Sequence, residues 1–415
     1  MTTPELDEID TAPTPEIDAP QTPDIETPPT PGQEEEEKKR RVLLLVLLFL
    51  LLCLCASGCL FLRYILKPAP ITDIVPVAPV QGIPPTYVKM ITGVDGPMGV
   101  AVSPDAQRLY VSESNGDRLV KVFDRDGKLL LSFFPPGTTK TNRNPTYIAV
   151  GPDGRVYLSE HYNHVIDIFD ADGNFLDAII DRDMTLTRFL ATKSSTILVP
   201  GSLFYYDNIS KQVFYQAPGG NPRGLPGPER AEWNPLGLRF DTEGNLMITN
   251  LVAGKHEVLI FPAASLKKDL SKFTPKFQEF GTEGKENGQF AFPNSVVRDK
   301  KGNYYVSDGN NGRISAWSSD RIYQSFFGFG SSEQTLNLPR GAWMDNKDHL
   351  HIADAVGSAI RVYDVSGAEP AFLYNFGEFG VSEGYLNFPV DITLDSTGRV
   401  YIADRENNRI DIWSY

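Results

Sequence analysis

Two stretches of this chain read like halves of a catalytic pair. YIADRENNRI at 401–410 and YYVSDGNNGR at 304–313 each place an acid, Asp404 or Asp308, at the end of an apolar run. Asn-rich turn residues follow, then an arginine five places after the acid. Used once, such a pair does acid–base or anion-binding chemistry. A third stretch, EHYNHV at 160–165, sets His161 and His164 beside Glu160, side chains of the kind that ligate metals. The remaining histidines are His256, His349 and His351, the last two alternating along one strand in the manner of a solvated face. No GxSxG elbow and no phosphate loop occurs. Cys53, Cys55 and Cys59 all fall in one apolar run, so nothing after it can form a disulfide.

The elements that must position these residues repeat. From Pro97, PMGVAVSPDAQRLYVSESNGDRLVKVFDRDGKLLLSF parses into four short alternating strands joined by turn residues such as SPDA and DRDG. Pro145, Pro235, Pro293, Pro339 and Pro389 open the same plan, and the stretch from Arg188 keeps its rhythm without its signature residues. Starts at 97, 145, 188, 235, 293, 339 and 389 divide residues 87–415 into seven units. The acid or amide ending the second strand is then Glu113, Glu160, Asn250, Asp308, Asp354 and Asp404. Five places on stand Arg118, Val165, Lys255, Arg313, Ala359 and Arg409. One active site needs one copy, so the recurring pair reads as construction, an exposed hairpin pair worth under about 1 kcal/mol. Glu160 and Asp354 stand out because the acid remains and that base is missing.

A four-stranded unit repeated radially is a β-propeller blade, because a lone twisted sheet cannot cover both of its apolar faces. The expected fold class is all-β: a propeller of seven blades, or six if the Arg188 unit is not one. It closes by pairing the surplus strand YVKMI, from Tyr87, with the three-stranded end at IDIWSY. FPVDITLDSTGRVYIADRENNRIDIW (388–413) and the connectors FGTEGKENGQFAFP (280–293) and FGEFGVSEGYLNFP (376–389) resemble NHL repeats. The resemblance implies an NHL-like propeller with a protein, peptide or surface-polymer partner. NHL-like metal lyases and gluconolactonase-like propellers hold their metal with residues converging on the central channel. At the inner-strand starts here stand Tyr147, Arg188, Asn294, Arg340 and Asp391, one carboxylate and no converging histidines. The expectation is therefore channel groups bound to water, with no metal and no cofactor.

Ahead of the repeats the composition changes. Residues 1–37 hold twelve acids and no base, with many prolines, and read as a disordered tail with the basic flank Lys38–Arg41 completing it at 41. VLLLVLLFLLLCLCASGCLFL at 42–62 has the length and apolarity of a transmembrane helix. Its basic N-terminal flank puts the tail in the cytoplasm and the rest outside the cell membrane. ASGC at 56–59 resembles a lipoprotein cleavage box, against which the long preceding tail and the continuing LFL argue. Residues 63–86 form a Pro-rich stalk, and 87–415 the propeller. Of the net charge of -14, the tail and its flank carry most of the excess, and nothing basic in the propeller suits nucleic acid.

The expected function is that of a single-pass, extracytoplasmic propeller acting as a binding or scaffolding module. A metal-dependent lyase or lactonase, and a sensor signalling through the tail, are the alternatives. No catalytic residue is assigned. The candidate binding residues are Glu160, His161, His164, Asp354, Arg188, Asn294, Arg340 and Asp391. Two further features are singled out. The aromatics Phe204, Tyr205, Tyr206, Phe214 and Tyr215 of the third unit read as core, and the loop at 218–235 as a binding element.

Overall fold

The computed structural model describes residues 31–66, 82–179, 203–207, 212–216, 219–225, 233–266, 277–330 and 334–415. They fall in two units, an N-terminal helix and a strand-built body that begins after Val75. The helix runs Pro31–Leu66, so it starts inside the expected disordered tail. Its first turns explain the difference. Pro31 suits a first helical position. Residues 1–30 and 67–81 lie outside the described residues. Val42 to Leu52 and Leu54 are 49–71% exposed. Described side chains along the run stop at Cys55, Gly58 apart, and among the described residues no helix is long and apolar enough to cross a membrane.

Among the described residues the body contains six four-stranded antiparallel sheets. Their inner strands are Pro97–Val102, Pro145–Val150, Pro235–Phe240, Pro293–Arg298, Pro339–Met344 and Pro389–Leu394, and we number the blades 1 to 6 in that order. Blade 6 takes its outermost strand from the start of the domain, Thr86–Ile91 pairing with Arg409–Ser414, so the ring closes as expected. Six buried apolar clusters fill the spaces between blades, each drawing on two neighbours around the circle. The period-2 strands have apolar residues on both faces, which only a neighbour on each side can cover.

The count of seven is corrected to six. Tyr157 and Ile168 of blade 2 share one core with Leu238 and Phe261 of blade 3, and Ser159 Oγ donates to Leu236 O at 2.7 Å. No blade stands between them. The third unit forms its own three-stranded sheet, Leu203–Asp207, Gln212–Gln216 and Arg223–Leu225. Phe204 is in register with Tyr215, and Tyr205 with Phe214. Its last strand comes from the stretch expected to be a binding loop, and 226–232 lie outside the described residues.

One tie is present in each of the six blades. The residue ending the second strand accepts a backbone N–H from the connector just before the inner-strand proline. Glu113 Oε1 accepts from Asp95 (2.8 Å), Asn250 Oδ1 from Asn234 (2.6 Å) and Asp308 Oδ1 from Ala291 (2.7 Å). Asp354 Oδ1 accepts from Leu338 (2.9 Å), Asp404 Oδ1 from Asn387 (2.7 Å), and Glu160 Oε1 from Asn144. These six acceptors are at most 1% exposed, so the picture of exposed pairs is overturned.

The bases also differ from the five-residue rule. Arg313 and Arg409 bind Asp308 and Asp404 through Nε at 2.9 and 3.1 Å. Glu113, however, is met by Lys121 at 2.7 Å, while Arg118 donates to Arg143 O. Asp354 is not partnerless either, because Arg361 Nε reaches it at 3.1 Å. In blade 3 the polarity is swapped, and Asn250 Nδ2 donates to Glu257 at 3.0 Å. A carboxylate in this pocket needs donors, and any nearby residue of the third strand can supply them.

Removing such an acceptor strands a buried arginine and a backbone N–H. Asp308→Ala should therefore cost about 3–5 kcal/mol rather than the tenths expected of a surface pair, as read from urea unfolding of the full chain.

Candidate functional site: the central channel and the connector end

The inner strands meet around the central channel, and their third residues alternate: Gly99, Tyr147, Gly237, Ser295, Gly341, Asp391. The glycines allow close approach. A Cβ on Gly237 would lie 1.9 Å from Asn294 O, and one on Gly341 2.0 Å from Asp391 Oδ1. Side chains at this level thus come from blades 2, 4 and 6.

Deeper in the channel, Arg239 braces the ring. From blade 3 its Nε donates to Ala342 O of blade 5 at 3.0 Å, and its Nη2 to Ile392 O of blade 6 at 3.1 Å and to Asp391 Oδ1. Asp391 Oδ2 accepts the Val100 N–H of blade 1 at 2.9 Å, so both carboxylate oxygens are engaged. Asp391 is fully buried, and that burial raises its carboxyl above the usual range although a guanidinium is bound to it. Sequence reading missed Arg239. The signal was present, because the fifth inner-strand residues are Ala101, Ala149, Arg239, Val297, Trp343 and Thr393, and only one is charged.

Of the expected channel residues, Asn294 and Arg340 meet directly, with Arg340 Nη1 donating to Asn294 Oδ1 at 2.7 Å. Tyr147 is 1% exposed, its hydroxyl has no partner among the described residues, and the charges acting on it are those of Arg340, Asp391 and Arg239. Arg188 lies outside the described residues.

Glu160, His161 and His164 share the turn of blade 2, away from that cluster in sequence and in contacts. Glu160 Oε2 accepts from Asn163 N at 2.6 Å, and among the described residues no base pairs with it. Across the hairpin, two residues past the one opposite it, stands buried Asp167 where blade 5 has Arg361. Burial pushes the Glu160 carboxyl up to about 7 and lifts Asp167 well above the usual range, with the Glu160 charge adding to the latter. His164 occupies a left-handed turn position, φ 54°, filled elsewhere by Arg118, Gly254, Gly312, Ser358 and Asn408, and its Nδ1 lies 3.2 Å from Trp233 O. The His161 ring stacks on it at 6.0 Å. Among the described residues no group of three or more His, Cys, Asp or Glu side chains is arranged to hold a metal.

At the opposite end of the strands, His349 and His351 are buried rather than solvated. Both face Asp345, at 3.1 and 3.5 Å, and Tyr415 Oη lies 3.3 Å from His351 Nδ1. The 3.5 Å contact is long for a hydrogen bond, and burial keeps the His351 imidazole below its ordinary range.

The two ends of the ring differ in degree: at the end holding the turns between first and second and between third and fourth strands, Ile322 is 66% exposed. Turns between first and second strands are built on aspartates that accept their own backbone N–H groups, as Asp241 does from Glu243 (3.0 Å) and Asn245 (2.8 Å). The connectors and the turns between second and third strands lie at the other end. There Phe329, Val356, Phe379 and Val381 are 60–74% exposed. Arg409 anchors one connector from below through Val381 O at 2.7 Å and Ser382 O at 3.0 Å, leaving its apolar side chains outward.

Fold and site together define a six-bladed β-propeller built from NHL-like blades. The NHL repeat family model matches residues 386–413, the end of the last connector and the first three strands of blade 6. No curated protein sequence matches the chain. Among solved structures, it is similar to virginiamycin B lyase from Staphylococcus aureus (TM-score 0.48, 11% identity, 79% of this chain and 98% of that one). A streptogramin B lyase gives the same TM-score over 80% of this chain and 98% of the other, at 11% identity. A protein of unknown function from Bacteroides caccae gives 0.45 over 72% and 82%, at 12% identity.

The blade 2 carboxyl makes stability pH-dependent with a definite sign. From 4.5 to about 7 folded Glu160 keeps a proton that the unfolded chain has lost, so its contribution is present in acid and lost as pH rises. Asp411, raised to about 8 by burial, acts in the same direction. Unfolding free energy should fall by roughly 2 kcal/mol or more between pH 5 and pH 8. Glu160→Gln should flatten that slope, whatever its effect on absolute stability.

Proposed function

We propose that this chain is a membrane-anchored binding module whose NHL-like propeller takes a protein partner on its connector end. The observation that carries the reading is the group Phe329, Val356, Phe379 and Val381 standing into solvent at the connector end, where the aspartate-turn end has only Ile322 exposed to that degree among the described residues. Solvent-exposed large apolar residues grouped on loops over a rigid scaffold are the signature of a recognition surface. Exposed Glu378 and Glu383 flank Phe379 and Val381, so the partner suited to this rim is apolar at its centre and basic at its edge. Anchoring rests on residues 42–62, an uncharged run as long as a bilayer's hydrocarbon core behind the basic Lys38–Arg41. That orientation places the propeller outside the cell membrane.

The lyase or lactonase alternative requires a metal at the channel. There the one inner-strand carboxylate, Asp391, already accepts from Arg239 and Val100. Elemental analysis of the full chain separates the readings, because a stoichiometric metal removed only by chelation would replace the binding module with an enzyme.

Phe379→Ser combined with Val381→Ser should abolish crosslinking to the partner on intact cells at unchanged circular dichroism. Undiminished crosslinking would sink the connector-end assignment. The anchor has its own check: the protein should resist carbonate extraction from membranes, and protease added outside should release the propeller.

A further inference from the structure

We propose that the cleft between blades 2 and 3, at the end away from the connectors, binds a small molecule carrying one carboxylate on an apolar body, held by the Tyr157 hydroxyl and the Arg155 guanidinium. Each inner strand is followed by a turn whose first residue accepts the N–H three places on: Ser103, Gly151, Asp241, Asp299, Asp345 and Asp395 in blades 1 to 6. In blades 4 and 6 the aspartate Oδ2 also accepts the hydroxyl of a second-strand tyrosine, from Tyr305 at 3.2 Å and Tyr401 at 3.1 Å. Tyr110 of blade 1, where the turn opens on Ser103, donates to Ala171 O at 3.0 Å instead. Blade 2 keeps the tyrosine but has glycine in the place of the carboxylate. Among the described residues the Tyr157 hydroxyl therefore meets burial and neighbouring charges but no acceptor.

A cleft of about 320 Å³ opens there, a volume suited to a small molecule. Tyr157 and Arg155 both line it, with the guanidinium carbon 5.6 Å from the centre of the tyrosine ring, so one ligand can meet both. Arg155 donates Nε to Asp153 Oδ2 at 2.6 Å and Nη2 to Leu266 O, which leaves Nη1 without an acceptor among the described residues. Blade 6 shows what such a pair of donors takes. Its own Asp395 carboxylate accepts from the Tyr401 hydroxyl and lies 3.6 Å from Arg125 Nη2. A ligand carboxylate would supply in blade 2 the group that Gly151 omits, with one oxygen for each donor. Asp153 and Glu243 also line the cleft, so a second negative charge is repelled. Pro152, Phe240 and Leu266 give the body behind the carboxylate an apolar surface to rest on. The site is at the other end of the ring from the connector-end partner, and either reading can fail alone.

The test follows thermal unfolding of the full chain in detergent micelles with sodium benzoate, benzamide, inorganic phosphate or sodium chloride at matched ionic strength. Benzoate should raise the midpoint, and the other three should not. Tyr157→Phe keeps the ring and breaks no hydrogen bond of the free protein, and it should weaken benzoate binding by about tenfold or more. Tyr305→Phe, the same change in blade 4, should bind benzoate as the natural protein does. Gly151→Asp should supply the missing acceptor from within the chain and abolish the benzoate effect. The proposal is overturned if benzoate leaves the midpoint unmoved, if benzamide, phosphate or chloride matches it, or if Tyr157→Phe retains the natural affinity. Equal loss in Tyr305→Phe would overturn it too. Should Gly151→Asp fail to fold, Tyr157→Phe decides.

Discussion

Every blade depends on one buried acceptor. The side chain ending the second strand turns back to hold the connector that delivers the chain to the inner strand, and it does so in all six blades, with Asn250 serving where the others have acids. The interaction fixes the connector arriving from one sheet to the second strand of the next. Its cost is visible in Asp308 and Asp404, whose carboxyls sit above the usual range although an arginine touches each: burial outweighs the donors.

Holding the connectors by their backbone frees their side chains. Arg409 grips Val381 and Ser382 by carbonyl oxygens, and Arg313 does the same to Glu286 and Gln289, so the outward residues of these loops carry no structural duty. In one connector they are Phe379 and Val381, in the other Lys285 and Glu286. A scaffold of this kind lets one face vary for recognition while the ring stays the same. Blade 2 shows how far the tie tolerates change, since Glu160 faces Asp167 with no base among the described residues and is kept by its proton and its two backbone donors.

Much of this was legible beforehand. The repeat, the closing strand and the structural role of Asp308 and Asp404 follow from period-2 strands, turn residues and the existence of several copies. The count of seven rested on the Arg188 unit, which keeps the strand rhythm without the signature residues, and strand rhythm alone does not make a blade. The partners of Glu113 and Asp354 were not legible, because a longer turn brings Lys121 to Glu113, while in blade 5 the turn keeps its length and Arg361, two residues past Ala359 on the third strand, reaches the acid. Nor was the burial of His349 and His351, whose alternation looks the same whether a neighbouring blade covers the face or water does.

The amino-acid order by itself determined the local units, their closure and the apolar run near the N-terminus, all of which rest on short-range patterns of side-chain polarity. Only the tertiary structure decided which units stand in the ring and what fills the channel. Arg239 and Asp391 lie far apart in the chain, and so do Val100 and Asp391. They become neighbours because six twisted sheets must pack face to face in a circle, a constraint that no local pattern contains.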